Sequence, residues 1–194
     1  MDGPGAGEEQ VGLYDTDGRS CGQAPRWLVR RDNLRHAATA VILRNATGQV
    51  YVHRRTETKD VYPGMYDCCA GGVVQPGEEP AAAAERELAE ELGVSGVPLV
   101  ALGRATYEDD VTCYVAFIYE AEYDGPISWQ PEEVAWGAWM GLEELARRIA
   151  DPGWPFVPDS RALVADWLRR HLPDRSYVDA PSSTYGRGQR GLPR

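Results

Sequence analysis

Between Gly72 and Val94 the chain reads GVVQPGEEPAAAAERELAEELGV, and this segment constrains the fold more than any other. Pro80 suits a first helical turn, where a missing N–H is not needed, and Ala81 to Ala84 are strong helix formers. Gly93 supplies a left-handed stop. Between these signals Ala84, Leu88 and Leu92 recur at every fourth residue, an apolar stripe that can pack on a core. Glu87, Glu90 and Glu91 stand three and four residues apart, so a helix gathers their carboxylates into one patch, expected on the exposed side. Such a patch repels itself unless a cation sits in it. Ahead of the helix, Gly71, Gly72 and Gly77 flank a short Val73-Val74 strand and let backbone carbonyls approach a ligand closely. The plainer reading of the same residues is a solvated, Glu-rich helix face.

The spacing narrows the choice. Gly72, five residues, Glu78, seven residues and then Arg86-Glu87-Leu88-Ala89-Glu90-Glu91-Leu92-Gly93-Val94 resembles the Nudix box, GX5EX7REUXEEXGU with U apolar, at all nine fixed positions. The resemblance implies a Nudix fold of the α/β (α+β) class, a mixed β-sheet sandwiched between helices. It also implies hydrolysis of a diphosphate linkage joined to another moiety, with Mg2+ or Mn2+ as cofactor. On matching positions Glu87, Glu90 and Glu91 would hold the metal with the carbonyl of Gly72, and Arg86 and Glu78 would support them. The chemistry asks for these types. A diphosphate repels hydroxide, so hard cations on oxygen ligands must neutralise it and acidify a water. The general base should be a glutamate, Glu87 or Glu90 within the box or one on a later loop. Trp129-Gln130-Pro131-Glu132-Glu133-Val134 offers that loop, with Glu132 or Glu133, the latter preferred, as a further ligand or base, set against an ordinary acidic turn.

Elements outside the box resemble the branch of the superfamily that includes isopentenyl-diphosphate isomerase and its hydrolase-like relatives. They are Gly12 to Gly18, Leu34 to Ala37, Gly48 to Arg55, Lys59 to Asp67 and Trp154 to Pro158. In the isomerase a cysteine lies just before the box and a metal-binding histidine follows two residues later; here those places hold Gly71 and Val73. Cys68 and Cys69 come three and two residues too early, and a shift of one along a strand reverses the face. His36 matches one isomerase ligand, whereas the other falls near Val29. Hydrolysis is therefore preferred. Isomerisation and a sensor that binds a nucleotide diphosphate without turnover are the alternatives.

Arg54 and Arg55, with Lys59 in the following loop, are candidate contacts for the outer phosphates, against a reading as ordinary surface charge. The partner implied is a small-molecule diphosphate. With 20 Lys and Arg against 30 Asp and Glu, net charge −10, the chain has no basic stripe for stable nucleic-acid binding. No apolar run is long enough for a membrane span, the start lacks the apolar core of a signal peptide, and the expected location is cytoplasmic. A homodimer is compatible with the sequence. Cys21, Cys68, Cys69 and Cys113 show neither CxxC spacing nor paired histidines. One Nudix domain is expected over residues 10–172, with a flexible N-terminus at 1–9 and a mobile tail at 173–194. Strand signals fall near 10–14, 36–43, 49–54, 66–74, 99–107, 111–122 and 134–140, and helix signals near 25–31, 79–92, 142–150 and 158–171.

Overall fold

The computed structural model describes residues 9–172. The expected N-terminal and C-terminal tails fall on residues 1–8 and 173–194, outside the described residues, except for Glu9. That residue is tied down: its carbonyl accepts the Arg26 N–H at 2.7 Å and its carboxylate pairs with the Arg26 guanidinium at 2.9 Å.

Nine strands form one mixed sheet: β1 (Gln10–Tyr14), β2 (Ser20–Pro25), β3 (His36–Arg44), β4 (Val50–Arg55), β5 (Tyr66–Asp67), β6 (Cys69–Ala70), β7 (Val100–Glu108), β8 (Cys113–Glu122) and β9 (Val134–Met140). Among the described residues four helices accompany them: α1 (Arg26–Arg31), α2 (Pro80–Leu92), α3 (Leu142–Ala150) and α4 (Pro158–His171). β3 is the hub, running parallel to β8 over its full length and antiparallel to β6, β1 and β4 elsewhere. β7 extends the β8 side, and β9 pairs antiparallel with β4. Period-two alternation along β3 sorts its residues between two cores. Val41 and Leu43 join Leu88 and Leu92 of α2, while Ala40 and Ile42 join Leu145 of α3 and Leu163 and Trp167 of α4. The sheet is thus packed on both faces. Among the described residues no helix is long and apolar enough to cross a membrane.

Three expectations need correction. β2 carries almost no β-forming side chain, and it is a strand because β1 pairs with it from Gln10↔Pro25 onward; tertiary pairing overrides a weak local preference. The single strand expected over 66–74 breaks at Cys68, because the chain changes partner there. Asp67 pairs with His53 of β4, Cys69 pairs with Ile42 of β3, and Asp67 Oδ1 accepts the Cys69 N–H across the break at 2.9 Å. The third concerns α2. Ala84, Leu88 and Leu92 are buried as the stripe requires, but Glu91 is buried beside them with 5 % of its surface exposed. At about 100° per residue it stands on the border of the stripe, three positions from Leu88 and one from Leu92.

Candidate active site

The Gly71-Gly72 backbone lies between β3 and α2 because neither residue has a side chain. A Cβ on Gly71 would lie 2.1 Å from the Thr39 carbonyl oxygen, and one on Gly72 would lie 2.5 Å from the Glu87 carboxyl carbon. Glu87 is therefore pressed against the Gly72 backbone. The Gly72 carbonyl accepts the Thr39 N–H at 2.9 Å and, at the longer distance of 3.5 Å, the Thr39 hydroxyl.

Arg86 forms the joint between loop and helix. Its Nε and Nη2 donate to the two oxygens of Glu78 at 2.9 and 3.1 Å, Nη2 also reaches the Val73 carbonyl, and Nη1 reaches Glu87 at 2.5 Å and Glu90 at 3.2 Å. Glu78 Oε2 in turn accepts the Gln75 N–H. These charge-assisted bonds hold the Glu78 carboxyl below its ordinary range and push the guanidinium further up. Burial pushes Glu87 up, and Arg86 offsets only part of the effect. Glu91 is pushed up to about 7 by burial, against the pull of Lys59 and of the hydrogen bond it accepts from the Gly71 N–H at 3.0 Å.

One cavity of about 420 Å³ brings these carboxylates together with a basic wall. Glu87, Glu90 and Glu91 line one side; Arg26, Arg30, Arg55 and Lys59 line the same space. Lys59 is drawn in from the β4–β5 loop and pairs with Glu133, so that candidate lies on the cavity too. Burial and the neighbouring Arg55 push the Lys59 ammonium below its ordinary value. Arg26 and Arg30 both pair with Asp60. Neither is among the residues expected from sequence, where their i, i+4 spacing on α1 is the available signal.

Arg54 is a correction: it is absent from the cavity wall, donating instead to the Gly64 carbonyl at 2.9 Å and to Glu57. Alternate residues of a strand face opposite ways, and here Arg55 lines the cavity while Arg54 does not. Glu132 is likewise exposed outside the cavity, with its carbonyl accepting the Thr56 hydroxyl. His36 is buried on the cavity wall, its Nδ1 3.1 Å from the Leu34 carbonyl, and burial pushes it down to about 4. Of the two adjacent cysteines, Cys69 reaches the cavity and Cys68 is packed in the core. Contact with Cys68 and burial raise the Cys69 thiol, which keeps it protonated near neutrality.

An all-oxygen donor set beside a guanidinium-rich wall suits a hard cation together with an anionic ligand. The NUDIX domain family model matches residues 34–160. The chain belongs to the Nudix hydrolase family. It is 44% identical over 171 residues to the Nudix hydrolase orf19 of Rhodococcus erythropolis, spanning 82% of this chain and 92% of that one. It is also 37% identical over 166 residues to the Nudix hydrolase YfcD of Escherichia coli K12, spanning 86% and 90% respectively. Among solved structures, DR0079 from Deinococcus radiodurans superposes with a TM-score of 0.67 at 28% identity, covering 84% of this chain and 98% of that one. The NUDIX domain of Shewanella oneidensis NrtR, solved with ADP ribose, shares the fold at a TM-score of 0.57 and 17% identity, covering 70% of this chain and 88% of that one. The Rhodococcus and Escherichia relatives bear the hydrolase name, and the comparisons give no specific support to the narrower resemblance to the isomerase. The protein is accordingly a hydrolase acting on pyrophosphate bonds, in a family that generally uses divalent metal ions and acts on small molecules.

Proposed function

We propose that this Nudix hydrolase cleaves the diphosphate linkage of a small molecule, a nucleoside diphosphate joined to another moiety or a similar compound, with Mg2+ or Mn2+ bound at the box. The observation that carries the reading is that Glu87, Glu90 and Glu91 line one cavity together with Arg26, Arg30, Arg55 and Lys59. Glu87, Glu90 and Glu91 with the Gly72 carbonyl would hold the metal; their fit to it rests on hard oxygen donors gathered where Gly72 leaves room for Glu87. When bound, a divalent ion supplies Lewis acidity and lowers the pKa of water.

The chain's own residues do the rest. Arg86 and Glu78 fix the loop against α2, so that Gly72 and the glutamates keep one relative position. Arg55 and Lys59 orient the outer phosphate and offset its charge, with Arg30 on the same cavity. A glutamate takes the proton of the attacking water; Glu90 and Glu87 are the candidates within the box, and Glu133 is the one across the cavity, where Lys59 holds it. The NrtR domain's complex with ADP ribose adds support for a nucleoside-diphosphate class of ligand.

The test is a panel of nucleoside di- and triphosphates, nucleotide sugars, dinucleotides and isopentenyl diphosphate. It is run with Mg2+, with Mn2+ and with chelator, reading the release of phosphomonoester or inorganic phosphate products, the monoesters through added phosphatase, together with double-bond migration. Metal-dependent release that Glu90→Gln lowers by about 10²-fold or more is expected. Tight binding without turnover of any member would refute hydrolysis.

A further inference from the structure

The cavity continues past the phosphate-facing residues to an inner end whose groups the hydrolytic step does not use. There Asp67, Cys69, Tyr114, Asp159 and Ser160 converge from β5, β6, β8 and α4. Asp67 and Ser160 are 5 % and 4 % exposed. Local structure occupies only part of their capacity. Asp67 Oδ1 accepts the Cys69 N–H, but Oδ2 has no hydrogen bond among the described residues, and neither has the Ser160 hydroxyl. Asp159 accepts the Tyr114 hydroxyl and the Ser160 N–H, each at 2.7 Å.

Charge at this end is unbalanced. His53, directly opposite Asp67 in the sheet, is fully buried and pushed down to about 4, so it stays neutral near pH 7, as does His36. The charge of Arg55 reaches Asp159, yet its Nε and Nη2 both donate to the Val61 carbonyl. Burial and the neighbouring Asp67 carboxylate raise Asp159 to about 6. Two carboxyl groups held together out of water are expensive without a cation, and free acceptor oxygens there call for a donor.

We propose that the inner end is a recognition subsite for a primary ammonium group, carried on the moiety attached to the substrate's diphosphate. Asp67 Oδ2 and Ser160 Oγ accept its N–H groups, and Asp159 supplies the second negative charge. The basic wall and the box then take the diphosphate, so the cavity selects a ligand that is cationic at one end and anionic at the other. This proposal rests on the hydrolase reading only for the placement of the diphosphate.

The test uses three chains of matched length: 4-aminobutyl, 4-hydroxybutyl and pentyl diphosphate. Calorimetry with Mg2+ on the Glu90→Gln protein reads recognition without turnover, and phosphate release by the unaltered protein reads hydrolysis. The aminobutyl compound should bind about tenfold or more tightly than the pentyl one, and ahead of the hydroxybutyl one. Asp67→Asn can still accept the Cys69 N–H, and Asp159→Asn the Ser160 N–H. Each, placed in the Glu90→Gln background and checked for an unchanged far-UV spectrum, should reduce the preference to about threefold or less. Equal binding of aminobutyl and pentyl diphosphate, or tighter binding of the hydroxybutyl compound, overturns the proposal. So does a preference that survives both substitutions. Amine-selective binding with no hydrolysis of any of the three upholds the subsite while removing the hydrolase reading; hydrolysis without amine selectivity does the reverse.

Discussion

Glu91→Gln should stabilise the metal-free protein at alkaline pH, although it removes a candidate metal ligand. Glu91 is buried against Leu88 and Leu92, and its carboxyl is raised to about 7 from an ordinary 4.5. A carboxyl whose folded pKa lies above its unfolded one favours the fold while protonated. Its contribution is therefore complete below about pH 4.5 and is lost as pH rises through about 7. Each tenfold difference in proton affinity is worth about 1.4 kcal/mol, so the gap corresponds to about 3 kcal/mol at most. Glutamine keeps an oxygen for the Gly71 N–H and carries no charge at any pH. Urea unfolding in chelator at about pH 5 and pH 8 measures the effect. Asp159 and the buried His36 and His53 titrate in both proteins and cancel in the comparison, so the stability difference should grow in favour of the variant from pH 5 to pH 8, where the variant should be more stable by about 1 to 3 kcal/mol. Added Mg2+ should stabilise the unaltered protein at pH 8 and have little effect on the variant. A variant less stable than the unaltered chain at pH 8 in chelator would refute the reasoning, because it would mean that the Glu91 charge is welcome in the empty site.

Gly72→Ala puts a methyl 2.5 Å from the Glu87 carboxyl carbon, so the side chain must swing away; phosphate release should fall by about 10²-fold while far-UV circular dichroism stays unchanged. Arg55→Ala should raise KM by about tenfold, whereas Arg54→Ala, whose side chain bonds Gly64 and Glu57 outside the cavity, should change it by less than about threefold. Equal effects of the two arginine substitutions on KM would contradict the assignment of one to each face of β4.

The box was legible because its residues are neighbours in sequence. Proline start, glycine stop and the Ala84, Leu88, Leu92 stripe set α2, and the fixed spacing of Glu87, Glu90 and Glu91 follows from 3.6 residues per turn. Most strands were legible from alternation, and the two that were misread are those shaped by their partners. β2 is held by β1, and the break at Cys68 arises where the chain leaves β4 for β3. The Arg54 and Arg55 pair shows the limit of local reading, since both are basic and adjacent while only the pleat decides which one meets the ligand.

By itself the sequence determined the family, the helix that carries the carboxylates and the hydrolytic class of chemistry, because each depends on residues within a short span whose geometry is local. Tertiary structure alone decided what faces that helix. Arg30, Lys59, Tyr114, Glu133 and Asp159 are far apart along the chain and meet in one cavity, as does Asp67. They meet only because β3 pairs with β8 and β6 while β4 pairs with β5 and β9. The burial of Glu91 was decided in the same way, by how closely the helix lies on the sheet, a quantity set by packing and not by spacing.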